Sequence, residues 1–452
     1  MSQGSLWSST NQKTSVGSPH VEGSEVIFPR DVKVQLKAFF AYPRFTVSML
    51  LALCAIATAI SAFRLAPENL QRVTPGVSVL LADSIHLIRG NRVGLITNHT
   101  GVDERGRTTI DLIFHAPGVR LTALFSPEHG IRGTVEGGER VASSVDRTTG
   151  VPIFSLYGDT TAPMPRMLGD VDVLIYDIQD IGARMYTYVW TMTLAAEAAK
   201  KAGKKFVVLD RPNPIRADII EGGLIERRYR SLTGLHDVPL RYGLTVGELA
   251  LYLVRTRQID ADLLVVPMKG YRQSMWWEDT GLDWVGPSPN IRQVEAALLY
   301  PGMSFFEATN VSEGRGTELP FRLVGARWLT DAAAVSRAMN AKGLRGVRFQ
   351  PTQRRVARGE KFGGEVIPMI HVIVTNRDSV RSAAIGAHLL REIYLRHPRE
   401  FHWREEGIER LSGSRALRTA VEHGGIERVL SEWRREASAF RAATTPWRLY
   451  SR

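Results

Sequence analysis

Residues 177–188 are the most informative stretch of the sequence, because they combine groups that can transfer protons and bind anions. Directly after the apolar run 171–176 come two carboxylates, an arginine and two phenols, namely Asp177, Asp180, Arg184, Tyr186 and Tyr188. Residues three apart share a face of a helical turn, and like charges held that close raise the pKa of one carboxyl group of a pair. One interpretation is therefore a proton donor active near neutral pH. The alternative is structural, with Arg184 pairing with the aspartates.

Three other apolar runs end in polar residues in the same way. The polar residues are Asn98 and His99 after the run 92–96, Glu128 and His129 after the run 121–125, and Asp210, Arg211 and Asn213 after the run 206–209. In open α/β sheets, ligands bind in the crevice beyond the carboxyl ends of the parallel strands. The four runs therefore predict one polar site built from four loops.

Glu128 is a candidate for acid–base chemistry. It stands between Pro127 and His129, in a loop that the preceding strand should hold rigidly. A carboxyl group placed in this way can act as a general acid or base. The alternative is a carboxylate that serves a turn or caps a helix. The catalytic candidates are therefore Glu128 and His129, together with Asp177 and Asp180.

The segment after the run 206–209 suits a sugar ligand. Asp210 is an acceptor, Arg211 a cation and Asn213 an amide, and two prolines stiffen the chain between and after them. Such a set can bind sugar hydroxyls and a carboxylate substituent, since guanidinium binds carboxylate with two parallel hydrogen bonds. The alternative is an ordinary turn from strand to loop, with a satisfied aspartate.

A glycine-containing segment, residues 310–317, provides three further candidates for substrate binding, namely Asn310, Glu313 and Arg315. Arg315 lies between two glycines, so the backbone there can approach a ligand closely. With Arg184 and Arg211 it makes three candidate cations for an acidic ligand. Neither glycine pattern of the phosphate-binding loops is present, so nucleotide binding is disfavoured.

Three tryptophans, Trp276, Trp277 and Trp284, lie in a long irregular segment between residues 271 and 320. Long irregular segments in compact proteins are usually functional or are linkers. The indoles are candidates for a sugar-stacking platform. The alternative is that they belong to the core.

Composition and charge limit the functional classes. The chain has 452 residues, 44% hydrophobic and 23% charged, which is ordinary for a globular protein with a sizeable core. The formal net charge is +12, but the arginines are dispersed and no aromatic-basic motif appears, so nucleic acid is not expected as a partner. No histidines have metal-ligand spacing, and we predict neither a metal nor another cofactor.

Residues 1–64 are expected to precede the folded protein. The stretch 45–63 carries no charge, holds the single cysteine, Cys54, and ends in small residues before Arg64, which fits an export signal. A membrane anchor is the alternative, since about 18 apolar residues can span a bilayer. Both interpretations predict an exported protein of the periplasm or cell envelope.

Short apolar runs alternate with helical patterns from about residue 65 to residue 268, which is typical of a mostly parallel sheet. Predicted helices include 191–202 and 246–255, and a predicted strand covers 263–267. Beyond the irregular segment, the patterns predict a strand at 369–375 and helices at 379–394 and 427–442. The predicted fold is α/β, with a Rossmann-like domain over residues 65–300 and a smaller α/β domain over residues 301–452.

Six segments taken together resemble the exo-β-N-acetylmuramidases of NamZ type. They are residues 94–101, 125–133, 152–158, 177–188, 209–214 and 310–317. The six motifs follow one another in the order of the family, which makes the resemblance specific. The likeness covers roughly residues 75–450. One departure lies near Glu365, where the family often carries a cysteine that is absent here, and it concerns the packing of the small domain.

The resemblance implies a Rossmann-like larger domain, a smaller α/β domain and an active cleft between them. It implies an enzyme that removes terminal β-1,4-linked N-acetylmuramic acid from the non-reducing ends of peptidoglycan fragments, with the family's catalytic glutamate at Glu128. Two alternatives remain open at this point. One is a non-catalytic protein that binds envelope glycans, and the other is a hydrolase of another acidic sugar.

Overall fold

The computed structural model describes residues 72–133, 139–405 and 407–452. The expected leader, residues 1–64 with the apolar stretch 45–63, lies outside the described residues. Within the described part of the chain, no helix is long and apolar enough to cross a membrane.

A seven-stranded sheet forms the centre of the fold. Its strands are β1 (Arg92–Thr97), β2 (Arg120–Ser126), β3 (Ser144–Val145), β4 (Pro152–Ser155), β5 (Val173–Asp177), β6 (Lys205–Leu209) and β7 (Leu263–Val266). They lie in the order β3-β4-β2-β1-β5-β6-β7, and every neighbouring pair is parallel except β3 with β4. The six parallel strands follow the order of dinucleotide-binding folds, in which the order reverses between β1 and its neighbour β5.

Both faces of this sheet are buried, which explains the continuous apolar runs of its strands. In β5, Val173 and Ile175 pack into one hydrophobic cluster, while Leu174 and Tyr176 pack into another on the opposite face. Successive side chains of a strand alternate between faces, so a strand covered on both sides must be apolar throughout. The polar residues that follow each strand therefore have to leave the sheet at its carboxyl edge.

Helices cover the two faces of the sheet. Helices α1 (Gly76–Asp83) and α2 (Thr109–Phe114) bury side chains in the cluster on one face, and α3 (Tyr188–Lys201), α4 (Val246–Arg255) and α5 (Val294–Met303) contribute to the cluster on the other. Helix α4 begins with a capping box formed by Thr245 and Glu248. The predicted helix 246–255 is confirmed, and the predicted helix 191–202 is confirmed with a start three residues earlier, at Tyr188.

A second sheet of three antiparallel strands lies in the C-terminal part, in the order β8-β10-β9. Its strands are β8 (Leu323–Gly325), β9 (Val347–Arg355) and β10 (Val366–Val374). The helices of this part are α6 (Ala332–Ala341), α7 (Ser382–Arg396), α8 (Gly407–Ser412), α9 (Ala416–His423) and α10 (Ile426–Thr444). The predicted strand at 369–375 and the predicted helices at 379–394 and 427–442 are confirmed as β10, α7 and α10.

The expected α/β architecture is confirmed by the large, mostly parallel sheet and the small second sheet. The described residues all belong to one compact unit. Helix α5 runs across residue 300, where the sequence predicts a domain boundary. The position of that boundary stays a prediction.

Candidate active site

The loops after β1 and β5 are tied together where the strand order reverses. The hydroxyl of Thr97, at the end of β1, donates to the carbonyl oxygen of Asp177 at 2.7 Å. One turn further, the amide of Gln179 donates to the hydroxyl of Thr100 at 2.9 Å. Asn98 fixes this turn, because its side-chain oxygen accepts from the amide and the hydroxyl of Thr100. Asn98 therefore stabilises the conformation of the loop after β1 through hydrogen bonds within that loop.

Asp177 lies in a buried ion pair with Arg211. Arg211 donates from Nε to Oδ1 at 2.5 Å and from Nη2 to Oδ2 at 2.8 Å, and the hydroxyl of Thr109 also donates to Oδ2. Arg211 makes a further hydrogen bond to the carbonyl oxygen of Val102 at 2.9 Å. Both oxygens of the Asp177 carboxylate therefore accept hydrogen bonds within the protein, and the ion pair fixes the loops after β5 and β6 relative to each other.

Asp180 is buried in the next turn. Its Oδ2 accepts hydrogen bonds from the amide of Gly182, at 2.7 Å, and from the hydroxyl of Tyr242. Burial raises the pKa of Asp180 to about 7, although both hydrogen bonds act in the opposite direction. This carboxyl group therefore stabilises the loop after β5 through hydrogen bonds and has almost no surface exposed to a ligand.

Asp210 and Asn213 also serve the protein interior. Asp210 accepts from the hydroxyl of Thr245 at 2.7 Å and from the amide of Gly247 at 2.8 Å, so it anchors the start of helix α4. Asn213 donates to the carbonyl oxygen of Leu244 at 2.9 Å. In both cases the structure favours the turn interpretation over contact with a sugar.

Arg184 is directed away from the aspartates that precede it. It is fully buried, and its guanidinium donates to three carbonyl oxygens, those of Gly223 at 2.9 Å, Val238 at 3.0 Å and Leu411 at 2.8 Å. Burial lowers the pKa of Arg184 to about 9. Arg184 therefore ties distant loops together and is not presented to a substrate carboxylate.

Glu128 follows β2 and meets the start of helix α3. The hydroxyl of Thr187 donates to Glu128 Oε2 at 2.5 Å. Thr187 occupies the N-cap position of α3 but makes no side-chain cap to the helix, so its hydroxyl is used for the glutamate instead. The side chain of Glu128 is nearly buried, and this hydrogen bond fixes the orientation of its carboxyl group.

His129 directly follows Glu128, and the ring of His99 lies against Gly133 of the same segment. His129 has a φ of 70°, in the left-handed region that non-glycine residues seldom occupy. His99 donates from Nε2 to the carbonyl oxygen of Gly286 at 2.8 Å. Burial lowers the pKa of His99, and the charge of nearby His129 lowers it further. His99 is therefore kept neutral over a wider pH range than a free imidazole.

A row of four aromatic rings runs from this loop toward the C-terminal part. Consecutive rings meet edge to face, with centroids 4.9 Å apart for Tyr188 and Tyr186, 5.9 Å for Tyr186 and Tyr300, and 4.7 Å for Tyr300 and Phe321. His129 packs against Tyr188 at one end, with centroids 6.4 Å apart. The predicted residue Tyr186 thus belongs to an aromatic wall that links the Glu128 loop to the second sheet.

Arg315 lies at the other end of this aromatic row. Its guanidinium stacks over Phe321, 5.1 Å from the ring centroid. It pairs with Glu307 at 2.5 Å and with Glu313 at 3.1 Å, and Glu313 also pairs with Lys361 at 2.8 Å. The structure therefore brings Glu313 and Arg315 into one charged cluster.

A cavity of about 680 Å³ opens at this charged cluster. Its charged lining residues are Glu139, Arg292, Glu307, Glu313, Arg315, Arg358, Glu360, Lys361 and Arg404. The volume falls in the range of about 300–1,000 Å³ that ligand pockets occupy. Asn310, from the same sequence segment as Arg315, instead bonds to the backbone of Glu400 and His402.

Sequence reasoning missed Glu307, Thr187 and Tyr300. Glu307 lies three residues before Asn310 and directly follows Phe305 and Phe306, so the only local signal is a single carboxylate after two aromatic residues. Thr187 was visible within the segment 177–188, but its contact with Glu128 joins loops 59 residues apart. Such a contact has no local signature.

The tryptophans of the irregular segment belong to the core. Trp276 and Trp277 are buried, and the rings of Trp277 and Trp284 meet edge to face with centroids 5.0 Å apart. The guanidinium of Arg377 lies 5.0 Å from the centroid of Trp276. These contacts favour the core interpretation over a sugar-stacking platform.

Comparisons with known proteins agree with this architecture. Family models for the N-terminal and C-terminal parts of the exo-beta-N-acetylmuramidase NamZ match residues 93–295 and 298–450. The peptidoglycan beta-N-acetylmuramidase NamZ of Bacillus subtilis strain 168 is 39% identical over 381 residues, which cover 84% of this chain and 92% of that protein.

Two solved structures of the DUF1343 family, both from Bacteroides fragilis, have the same fold. One superposes with a TM-score of 0.79 at 36% identity, and the other with a TM-score of 0.65 at 28% identity. Each comparison covers 84% of this chain and 99% of the other. The resemblance of the six sequence segments is thus confirmed, and the chain belongs to the exo-beta-N-acetylmuramidase NamZ family.

Proposed function

We propose that this protein is an exo-acting glycoside hydrolase that releases terminal β-1,4-linked N-acetylmuramic acid from the non-reducing ends of peptidoglycan fragments. The observation that carries the proposal is the placement of Glu128. Its carboxyl group is nearly buried, is oriented by Thr187, and lies at one end of an aromatic row whose other end is the charged cavity. The relative from Bacillus subtilis is named as a peptidoglycan beta-N-acetylmuramidase, which supports this class of activity.

Glu128 is assigned the role of general acid. Cleavage of a glycosidic bond requires a proton on the leaving oxygen as the bond to the anomeric carbon breaks. A carboxyl group fixed by a hydrogen bond at a strand end can deliver that proton to one position without reorganisation. Next to Glu128, the ring of His129 packs on that of Tyr188. We expect His129 and Tyr188 to line the leaving-group side of the sugar.

The cavity supplies cations for the lactyl carboxylate of muramic acid. Arg315 lines it, whereas Arg184 and Arg211 are buried in contacts within the protein. Arg358 and Arg404 also line the cavity, and within the described residues neither guanidinium pairs with a carboxylate. An arginine can bind a carboxylate with two parallel hydrogen bonds, so these two side chains are suited to select an acidic sugar over a neutral one.

A location in the cell envelope follows from the proposed substrate, since peptidoglycan fragments arise there. The charge-free stretch 45–63 supports export, either as a signal or as an anchor. The proposed partners are therefore muramyl glycans of the envelope. Fractionation of cells that express the full chain, with N-terminal sequencing of the product, tests the location and separates a cleaved signal from an anchor.

The activity is tested with two disaccharides of opposite order. The purified protein should release free N-acetylmuramic acid from a disaccharide with that sugar at the non-reducing end, and it should leave the disaccharide with N-acetylglucosamine at that end uncleaved. Because the sequence holds no metal-ligand spacing, release should persist in the presence of EDTA. Binding of the first disaccharide without cleavage would instead support a non-catalytic glycan-binding protein.

A further inference from the structure

We propose that Glu307 is the second carboxyl group of the reaction and acts as the base that takes a proton from the attacking water. This inference rests on the proposed function, because most glycoside hydrolases use two carboxyl groups that flank the scissile bond. It assigns a catalytic role to a residue outside the four loops that follow the strands of the large sheet.

Glu307 is placed where a substrate can reach it. It belongs to the short helical segment Ser304–Ala308, in which Phe305 and Phe306 are completely buried. The Glu307 side chain keeps 25% of its surface exposed and lines the cavity. The carboxylate of Asp177, by contrast, has no exposed surface. Glu307 is therefore accessible to a substrate, whereas the candidate Asp177 is not.

The surroundings of Glu307 suit a proton acceptor. Arg315 holds Oε1 at 2.5 Å, and within the described residues no hydrogen bond engages Oε2. Burial raises the pKa of Glu307, and the neighbouring charge of Glu313 raises it further, against the opposing effect of Arg315. A carboxylate with a raised pKa is a stronger base, while the arginine keeps it oriented. The free Oε2 is the atom available to a water molecule.

The aromatic row connects the elements that carry Glu307 and Glu128. Burial raises the pKa of Tyr300 well above its usual range, and the negative charges of Glu307 and, more weakly, Glu128 raise it further. Thr187, which holds Glu128, directly precedes Tyr188 at one end of the row. Arg315, which holds Glu307, stacks over Phe321 at the other end. The row therefore connects the two carboxyl groups, with one at each end.

The proposed step balances as follows. Glu128 gives its proton to the glycosidic oxygen, and the bond between that oxygen and the anomeric carbon breaks with its electron pair going to the oxygen. Water forms the new bond to the anomeric carbon from the opposite face, and Glu307 takes the proton that the water loses. The products are free muramic sugar and the shortened glycan, and the configuration at the anomeric carbon inverts.

The test compares the wild-type protein with Glu307→Ala and Glu307→Gln on an aryl β-N-acetylmuramide, with and without azide. Both variants should fold, as judged by circular dichroism, and should lose about a hundredfold to ten-thousandfold in kcat with little change in KM. Azide should restore activity to Glu307→Ala and yield the α-configured glycosyl azide. Glu365→Ala removes a carboxylate that also pairs with an arginine but lies outside the cavity lining, and it should keep wild-type activity with no response to azide.

Proton NMR of the first sugar released by the wild-type protein completes the test, and the α anomer is expected. Three results would overturn the assignment in folded variants: kcat within tenfold of wild type, loss of activity without rescue by azide, or a β-configured first product or azide. If the wild-type protein releases no muramic sugar from any substrate, the proposed function itself fails and the assignment of Glu307 fails with it.

Discussion

Asp177 and Arg211 form a two-point ion pair that joins the carboxyl ends of strands β5 and β6. The two hydrogen bonds measure 2.5 and 2.8 Å, and both side chains are almost completely removed from solvent. The pair lies beside the reversal of strand order, where folds of this kind bind ligands. In this chain a small cavity of about 90 Å³, lined by Thr100, Gln179 and Arg211, remains at that position, and a larger cavity opens at the far end of the aromatic row.

The Asp177–Arg211 ion pair should contribute far more to the free energy of unfolding than an exposed ion pair with the same hydrogen-bond geometry. Breaking a buried ion pair by removing one partner costs about 3–5 kcal/mol, so Asp177→Asn should lower the free energy of unfolding in urea by that amount. Arg92 and Asp172 form a matched control, since they also make two parallel hydrogen bonds but remain about one third exposed. Asp172→Asn should change stability much less, and equal losses would contradict this account.

Removal of the Thr187 hydroxyl should impair catalysis without unfolding the protein. Thr187→Val keeps the shape of the side chain and deletes the hydrogen bond to Glu128. Hydrogen bonds to charged groups contribute about 1.5–3 kcal/mol, so kcat/KM should fall about tenfold to a hundredfold.

The control is Thr193→Val in the same helix. Thr193 is more fully buried than Thr187, and its hydroxyl donates to the backbone of Trp190, at 2.9 Å, and not to a carboxyl group. Steady-state kinetics of the two variants should therefore diverge. Equal kcat/KM values for both would show that the contact with Glu128 is unimportant for turnover.

The stability of the protein should decrease between pH 5 and pH 8 because of Asp180. Burial raises the folded-state pKa of Asp180 to about 7, from an ordinary value of 3.8. Between these values the folded state holds a proton that the unfolded state has released, so folding becomes less favourable as pH rises.

Urea titrations of the wild-type protein and Asp180→Asn at pH 5 and pH 8 measure this effect. The wild type should lose about 2 kcal/mol more than the variant over that interval. Burial also raises the pKa of Glu248 to about 7, but Glu248 is present in both proteins and cancels in the comparison. Parallel pH dependence of the two proteins would refute the assignment.

Arg358 and Arg404 should set the preference for an acidic sugar. The preference is measured as kcat/KM for an aryl β-N-acetylmuramide divided by kcat/KM for an aryl β-N-acetylglucosaminide. In the double variant Arg358→Ala/Arg404→Ala this ratio should fall about tenfold to a hundredfold, because one charge-assisted hydrogen bond accounts for that range. Arg345→Ala/Arg434→Ala removes two exposed cations from a different groove and should keep the parent ratio. An unchanged ratio in the first double variant would leave Arg315 as the remaining candidate.

Much of the fold was predictable because each signal was local. The strand β5 is a continuous apolar run since both of its sides are buried, and helix α4 begins at a threonine with a glutamate three residues on. Both signals can be read within about ten residues of sequence. The same is true of the polar turns at the carboxyl edge of the sheet.

The direction in which those polar residues point was not predictable in the same way. Arg184 donates to the carbonyl oxygen of Leu411, 227 residues away, and Asp210 accepts from the hydroxyl of Tyr450, 240 residues away. Partners so distant decide whether a polar side chain meets a ligand or the protein interior. Glu307 also lacks the local signal of a strand end, since it lies in the short helical segment Ser304–Ala308, which follows no strand.

Loss of the Glu128 acid should depend on the leaving group. Glu128→Gln keeps the size and the hydrogen bond of the side chain but cannot donate the carboxyl proton. General acid catalysis is worth about a hundredfold to ten-thousandfold, and a poor leaving group needs the whole of it. An activated aryl leaving group departs with little protonation, so its hydrolysis should suffer less.

The most direct measurement is the ratio of kcat/KM between Glu128→Gln and the wild type on two substrates, a muramyl-glucosamine disaccharide and an activated aryl β-N-acetylmuramide. Our account predicts a folded variant that loses at least about a hundredfold on the disaccharide and clearly less on the aryl substrate. Small and equal losses on both substrates would contradict it and would remove Glu128 from the mechanism.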